Sequence, residues 1–256
     1  MSVKGSQRII FALDFPRIGD ARAFADRLGN HVGMLKVGLE LFIADGGAAV
    51  REAKKTHPVF LDLKLHDIPQ TVERAISQAA DLGASIVTVH ASGGREMLGR
   101  AATTGKDRGL IVAAVTVLTS LDDSDLKAAG IDASVSAHAL RLARVAFDAG
   151  VRAFVCSPQE AAAMRKELGS EAVLITPGVR AARNPLEQAG RATGLGARDD
   201  QKRVATAHDA IDSGADYVVV GRPIRDAADP VAAAIEIAKG IEAAEHAMDR
   251  RATAGT

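Results

Sequence analysis

Short apolar segments rich in β-branched residues alternate eight times with longer, alanine-rich segments along this chain of 256 residues. The short segments predict strands at residues 8–15, 34–38, 59–65, 84–91, 110–118, 152–157, 172–179 and 217–223. The longer segments, such as DARAFADRLG and TVERAISQAADLG, are typical of helices, and several end in glycine, which commonly follows a helix. Strands and helices that alternate in this way imply parallel strands joined by helical crossovers. Eight such units in about 250 residues predict an α/β fold, a (β/α)8 TIM barrel.

A doubly wound open sheet is the alternative fold. No G-x-G-x-x-G follows the first predicted strand, where a dinucleotide-binding fold would have one. No linker rich in Pro, Gly or Ser divides the chain, so we expect a single domain over residues 1–256. Residues 181–200 are polar and rich in arginine, and we interpret them as a long loop. The C-terminal segment 249–256 is predicted to be frayed.

Composition excludes several classes of partner and site. The chain has 32 basic and 32 acidic residues, which gives no electrostatic reason to expect nucleic acid or an anionic membrane as a partner. Cys156 is the only cysteine, so neither an intrachain disulfide nor an all-cysteine metal site can form. We find no signal peptide and no run of the roughly 18 apolar residues that a membrane helix needs. We therefore expect a soluble, cytoplasmic protein.

The segment FLDLKLHD, at residues 60–67, places two opposite charges in a strand that is otherwise apolar. Side chains alternate with period two along a strand, so Asp62 and Lys64 share one face with Phe60. The leucines beside them then face the surrounding helices. Because the active site of a barrel lies at the C-terminal ends of its strands, the two charges are predicted to point into the barrel mouth.

Other predicted strands also end in, or run into, residues that could act at such a site; these are Asp14, Lys36, Thr119, Arg180, Gly221 and Arg222. Asp14 and Lys36 would extend the charges of the third strand into an alternating acid–base array. An ammonium group kept charged among carboxylates is a ready proton donor to a developing carbanion. The loops after strands seven and eight of barrels often bind phosphate. Gly221 offers a backbone N–H there, and Arg222 a planar charged fork.

Six motifs occur in order and at fitting spacings, namely FALDF, KVGLELF, DLKLHDIPQT, VTVLTS, TPGVR and VVVGRPI. Together they resemble the bacterial orotidine 5′-phosphate decarboxylases, and the resemblance spans nearly the whole chain. The decapeptide 62–71 is its most specific part. The resemblance implies a homodimeric (β/α)8 barrel that converts orotidine 5′-phosphate to UMP and CO2 without metal or cofactor.

The resemblance also implies roles for individual residues. Lys64 would donate a proton to C6 of the pyrimidine, and Asp62 would lie beside the departing carboxylate. Lys36 and Asp67 would complete the charged network, with Lys36 also reaching the ribose. Asp67 and Thr71 would come from the neighbouring subunit. The remaining implied contacts are those of Asp14 with the ribose, of Thr119 with the pyrimidine edge, and of Arg180, Gln201, Gly221 and Arg222 with the phosphate.

One feature departs from the family pattern. Members of the family reach the phosphate-binding Gln after a much shorter loop than the one that separates Arg180 from Gln201 here. Gln201 has the expected neighbours in DDQKRV, and Gln188 is the less favoured substitute. We expect the segment 181–200 to be mobile without ligand and to close over the phosphate, which would exclude water.

Several alternatives stay open from sequence alone. Asp62 and Lys64 could form a structural ion pair. His66 lies inside the decapeptide, and a packing or loop hydrogen-bonding role is favoured for it over a role as a base. His90 ends the fourth predicted strand, and a satisfied polar residue near the core is favoured over one that lines the pocket or supports the charged network. One rival function is a Mg²⁺-dependent sugar-phosphate decarboxylase or aldolase of the same superfamily, which Lys36 disfavours because its charge would repel the metal ion. Another is a non-catalytic protein that binds nucleotide phosphates.

Overall fold

Eight short strands form the inner wall of the fold in a computed structural model that describes residues 4–180 and 205–254. These strands are β1 (Ile9–Ala12), β2 (Met34–Val37), β3 (Val59–Leu65), β4 (Ile86–His90), β5 (Ile111–Val115), β6 (Ala153–Val155), β7 (Val173–Thr176) and β10 (Tyr217–Val220). They pair in parallel in the order β1-β10-β7-β6-β5-β4-β3-β2 and close into a barrel. The predicted (β/α)8 barrel is confirmed.

Helices connect the strands on the outside of the barrel. They are α1 (Ile18–Leu28), α2 (Leu39–Asp45), α3 (Gly47–Lys54), α4 (Pro69–Leu82), α5 (Gly94–Asp107), α6 (Asp123–Ala128), α7 (Val135–Asp148), α8 (Pro158–Leu168), α9 (Ala207–Asp212), α10 (Arg222–Arg225) and α11 (Pro230–Ala254). Short 3₁₀ turns lie at Gly5–Arg8, Gly29–His31 and Ala91–Gly93. Within the described part of the chain, no helix has both the length and the apolar character needed to cross a membrane.

Local sequence signals account for several helix ends. Pro69 and Pro158 begin α4 and α8, where the missing N–H of proline costs no hydrogen bond. Ser157 and Glu160 form a capping box at the start of α8, in which each side chain accepts a hydrogen bond from the other residue's backbone N–H. Gly83 ends α4 in the left-handed conformation at φ 87°, which glycine adopts without steric cost.

Each barrel strand lies within a predicted strand segment, but the predicted segments of the first, fifth, seventh and eighth barrel strands each extend three residues past the observed end. The segment 172–179 is interrupted at Pro177 and Gly178, so β7 ends at Thr176 and a separate strand, β8 (Val179–Arg180), follows. Strand β8 pairs in parallel with β9 (Ala205–Thr206), outside the barrel. The segment 217–223 ends as a strand at Val220, because α10 begins at Arg222. The C-terminal helix α11 extends to Ala254, into the segment predicted to fray.

Apolar side chains divide between two clusters according to the face of the strand on which they lie. The cluster inside the barrel consists of Ile10, Ala12, Phe60, Ile86, Ala113, Ala153, Ile175 and Val219. The larger cluster fills the layer between strands and helices, and it includes Leu61 and the buried Cys156. Phe60 and Leu61 therefore face opposite sides of β3, as the period of two predicted, and Asp62 shares the inner face with Phe60.

Candidate active site

Four charged side chains meet at the C-terminal ends of three neighbouring strands. The Lys64 Nζ atom lies 2.8 Å from Oδ1 and 2.9 Å from Oδ2 of Asp62. The Lys36 Nζ atom lies 3.6 Å from Oδ2 of Asp62 and 3.4 Å from Oδ1 of Asp14. Acids and bases therefore alternate across the mouth of the barrel, as predicted, in the order Asp14, Lys36, Asp62, Lys64.

Strand register brings these groups together. Lys36 of β2 pairs with Ala12 of β1 on one side and with Phe60 of β3 on the other. Ala12 and Phe60 both face the barrel interior, so Lys36 also points inward. Asp14 and Asp62 each lie two residues beyond these partners. Lys36 consequently reaches a carboxylate on each side, and its own side chain is only 12% exposed.

Two ammonium groups keep the Asp62 carboxylate ionised although it is largely buried. Burial raises the pKa of Asp62, but the charges of Lys36 and Lys64 and hydrogen bonds from Lys64 and Thr88 outweigh it. The net result is a pKa below the ordinary aspartate value. Asp62 is therefore a fixed negative charge inside the mouth at neutral pH.

The backbone of β3 is irregular at this point. Pairing with β4 is in register at Leu61 and resumes only at Leu65, so residues 62–64 lie opposite the single residue Thr88. Lys64 has a φ of 52°, and it is the only non-glycine residue with positive φ among those that the structure describes. Such a conformation is uncommon for a side chain of this kind and concentrates at functional sites. The bulge therefore directs the Lys64 side chain toward Asp62.

Two glycines lie close to the network and leave little room for a side chain. A Cβ atom on Gly38 would lie 3.1 Å from the Lys36 Nζ atom, and one on Gly221 would lie 3.3 Å from Oδ2 of Asp14. Gly221 lies between β10 and α10, so the end of β10 is close to Asp14. In addition, Arg225 donates a hydrogen bond of 3.0 Å to the backbone carbonyl of Asp14.

The predicted phosphate-binding residues lie on neighbouring elements. Arg180 is in β8, which lies beside β10, and it pairs in register with Thr206 of β9. Gly221 and Arg222 follow β10, and Arg222 is exposed. The predicted ligand Gln201 and the predicted closing segment 181–200 lie outside the described residues.

Three predicted site residues remain apart from the network within one chain. Asp67 is exposed, and its Oδ1 atom accepts a hydrogen bond of 2.7 Å from the backbone N–H of Ile68. Thr71 is exposed in the first turn of α4. Thr119 is half-exposed, four residues beyond the end of β5.

Two histidines lie near Lys64. His90, at the end of β4, is partly buried, and its ring centroid lies 5.4 Å from that of the exposed His66. Burial, followed by the nearby His66 and Lys64, lowers the pKa of His90, and the opposing effect of Asp62 is smaller. His90 is therefore neutral at physiological pH and adds no cation to the mouth.

Sequence reasoning overlooked Thr88. This residue is fully buried, and its hydroxyl contacts both Asp62 and the backbone of Lys64. The available signal was its position in IVTVH, two residues before His90 and hence on the same inward face. A polar residue on the inner face of an otherwise apolar strand marks a position worth testing.

Several known proteins resemble this chain over most of its length. The model of the Orotidine 5′-phosphate decarboxylase / HUMPS family matches residues 7–237. Orotidine 5′-phosphate decarboxylase of Anaeromyxobacter sp. (strain K) is 52% identical over 240 residues, which is 93% of this chain and 100% of that protein. The corresponding protein of Vibrio vulnificus (strain CMCP6) is 44% identical over 88% of this chain and 94% of its own length.

A solved structure shows the same fold. The crystal structure of orotidine 5′-phosphate decarboxylase from Lactobacillus acidophilus superimposes with a TM-score of 0.77 and 32% sequence identity. The alignment covers 91% of this chain and 98% of that structure. Since the family model spans most of the chain and the relatives match nearly end to end, this chain belongs to the orotidine 5′-phosphate decarboxylase / HUMPS family.

Proposed function

We infer that this chain converts orotidine 5′-phosphate to UMP and CO2 in pyrimidine biosynthesis, and we propose that Lys64 donates the proton that completes the reaction. The observation that carries the proposal is the Lys64 ammonium held 2.8 Å from Asp62 at the mouth of the barrel. The relatives that are 52% and 53% identical over the full length of their own chains are named for this reaction. Their names favour it over the sugar-phosphate reactions of the same superfamily.

The charged network suits the chemistry of this decarboxylation. When the bond between C6 and the carboxylate breaks, its electron pair remains on C6 of the pyrimidine. Lys64 then transfers a proton from Nζ to C6 and becomes a neutral amine, which regains a proton from solvent. Asp62, ionised beside the substrate carboxylate, disfavours the bound ground state, whereas the ammonium groups stabilise the developing negative charge.

The other site residues would bind the parts of the substrate that do not react. In this proposal Asp14 and Lys36 bind the ribose, Thr119 contacts the pyrimidine edge, and Arg180, Gly221 and Arg222 bind the phosphate. The close approach of Gly221 to the Asp14 side chain is consistent with ribose and phosphate lying side by side. Binding energy from the phosphate can assist chemistry at the distant C6 atom.

We further propose a homodimer in which the partner subunit's Asp67 and the partner subunit's Thr71 complete each site. Both side chains are exposed in the single chain. Exposed apolar residues lie nearby in sequence or on the same end of the barrel, with Ile68 66% exposed and Ile43 of α2 80% exposed. Exposed apolar groups next to a functional site are typical of surfaces that another protein covers.

The enzyme is proposed to act in the cytoplasm without metal or organic cofactor. The support for a metal-free reaction is electrostatic, because the Lys36 ammonium lies 3.6 Å from the carboxylate of Asp62 and would repel a divalent cation there. The rival Mg²⁺-dependent enzyme would have to bind its metal ion beside the Asp62 carboxylate.

The test is direct. Purified protein is incubated with orotidine 5′-phosphate, and the loss of pyrimidine absorbance is followed with and without excess EDTA. We expect turnover that EDTA does not change. A lack of turnover would contradict the proposed reaction, and turnover that EDTA abolishes and Mg²⁺ restores would favour the metal-dependent rival.

A further inference from the structure

We propose that Thr88 of β4 is a positioning residue that holds the carboxylate of Asp62 and the backbone of Lys64 in their reactive arrangement. The inference rests on the roles proposed above for Asp62 and Lys64. It assigns Thr88 no contact with the substrate, and its effect on the reaction passes through these two residues.

The hydroxyl of Thr88 forms two hydrogen bonds to the network. Its Oγ1 atom donates to Oδ1 of Asp62 at 3.0 Å and accepts from the backbone N–H of Lys64 at 2.8 Å. A hydroxyl has one proton to donate, so the donated bond is committed to Asp62. The side chain is fully buried, which protects both bonds from competition with water.

The bulge in β3 explains why a hydroxyl is needed here. Residues 62–64 lie opposite Thr88 alone, so the N–H of Lys64 is displaced from the regular ladder between β3 and β4. A partly buried N–H needs an acceptor, and Thr88 supplies one from a side chain. The same bond supports the positive φ of Lys64, a conformation that persists only where surrounding contacts hold it.

The two bonds act on one geometric quantity, the placement of the Lys64 Nζ atom. This atom bonds to both oxygens of Asp62, so rotation of the carboxylate would move the ammonium group. Thr88 limits that rotation at Oδ1 and also fixes the backbone from which the lysine side chain extends. Loss of the hydroxyl would therefore misplace donor and carboxylate together.

The expected effect is on the chemical step and not on substrate binding. The residues proposed to bind ribose and phosphate extend from β1, β2, β8 and β10, whereas Thr88 is in β4. A displacement of about 1 Å of a reacting group can lower a rate by about 10²-fold. We therefore expect kcat to fall while KM and the affinity for UMP change little.

The experiment compares three variants of the full-length protein. Thr88→Val keeps the shape but lacks the hydroxyl, and we expect it to lower kcat by about 10- to 100-fold. Thr88→Ser restores the hydroxyl and should stay within about threefold of wild type. Thr116→Val is the matched control, because Thr116 is also buried but donates to the backbone carbonyl of Val155, away from the charged network. It should leave kcat within about threefold of wild type.

The outcomes separate this inference from the proposed function. Wild-type protein that fails to decarboxylate orotidine 5′-phosphate would refute the function itself. If wild type is active, a kcat for Thr88→Val close to that of wild type, or for Thr88→Ser as low as that of Thr88→Val, would overturn the role of Thr88. Thermal denaturation checks that the variants are folded. If Thr88→Val does not fold, Thr88→Ala takes its place in the comparison with Thr88→Ser, and the same two outcomes decide.

Discussion

The two halves of the decapeptide 62–71 have different environments in the folded chain. Asp62 and Lys64, at the end of β3, bond to each other and are enclosed by Lys36 and Thr88. Asp67, only three residues farther on, is exposed and bonds to the backbone N–H of its own neighbour. One half of the motif is thus completed by the chain's own barrel, and the other half is presented outward.

The difference indicates that the motif serves two purposes. Its first half builds a preorganised charge network, in which the cost of burying Asp62 is offset by two cations and a hydroxyl. Its second half keeps a carboxylate and a hydroxyl accessible, which is consistent with the proposed contribution to the site of a second subunit. Five predictions test this contrast and the charged network, in order of decreasing expected effect.

The largest effect is expected at the proton donor. Lys64→Ala should lower kcat by about 10²- to 10⁴-fold, the usual contribution of a general acid, while UMP still binds. Lys55→Ala is the control, since Lys55 pairs with Glu52 on the surface. Steady-state assays and calorimetric titration with UMP measure the two properties. Activity within tenfold of wild type would remove Lys64 from the mechanism.

The next largest effect on kcat is expected in the second half of the decapeptide, at Asp67. Asp67→Asn should lower kcat by about 10²-fold, because a charge aimed at the reacting groups is lost. Mixing this variant with Lys64→Ala under conditions of subunit exchange should recover about a quarter of wild-type activity, since half of the dimers then hold one intact site.

A matched mixture controls this experiment. Asp62→Asn mixed with Lys64→Ala should recover nothing, because both residues act within the same barrel and no combination of subunits restores a complete site. Recovery in both mixtures, or in neither, would contradict the division of the decapeptide between subunits. Sedimentation equilibrium of the mixtures verifies that dimers are present.

A smaller effect is expected on stability. Asp62→Asn should lower the free energy of unfolding by about 2–3 kcal/mol, because hydrogen bonds to a charged group are lost and two ammonium groups remain without their carboxylate. Asp67→Asn should change it by less than about 0.5 kcal/mol, as is usual at exposed positions. Urea denaturation at pH 7 measures both values. Equal losses would show that the two halves do not differ in their structural roles.

The same variant has a pH signature. The pKa of Asp62 is lowered in the folded state, so its negative charge stabilises the fold at pH values above 3.8, the ordinary pKa of aspartate. That contribution is lost as the pH falls below 3.8 through the lowered folded pKa. The stability difference between wild type and Asp62→Asn should therefore narrow in acid, and a difference independent of pH would contradict the charged network.

The smallest effect concerns His90. Its lowered pKa predicts that the imidazole titrates below its ordinary value of 6.5 and is neutral at pH 7. An NMR titration of the imidazole resonances measures this, with His90→Gln identifying the signal. A pKa above about 7 would place an additional cation beside Lys64 at neutral pH. That result would weaken the description of the mouth as an alternating array.

Much of the fold and of the site could be predicted from sequence because the signals are local. The period of two predicted that Asp62 and Lys64 lie on the inner face of β3 with Phe60. In the structure, Phe60 lies in the cluster inside the barrel, and the side chains of Asp62 and Lys64 contact each other. The predicted ends of strands seven and eight were wrong by three residues each, because Pro177–Gly178 and the start of α10 interrupt them.

Contacts between strands were less accessible to such reasoning. Thr88 was missed because its partners are 24 and 26 residues away in sequence, and only the register of β3 against β4 brings them together. The positive φ of Lys64 was also unpredictable, since no local propensity favours it and the bulge that imposes it depends on pairing with β4.

The order of eight strand–helix units, the inward face of each strand and the residue types at the strand ends were determined by the sequence itself, because hydrophobic periodicity and helix signals act over a few residues. Tertiary structure alone decided which residues of different strands touch: Lys36 lies between Asp14 and Asp62, and Thr88 bonds to Asp62. The physical reason is that the stagger of strands in a closed barrel, and not the spacing along the chain, sets the distance between side chains on different strands.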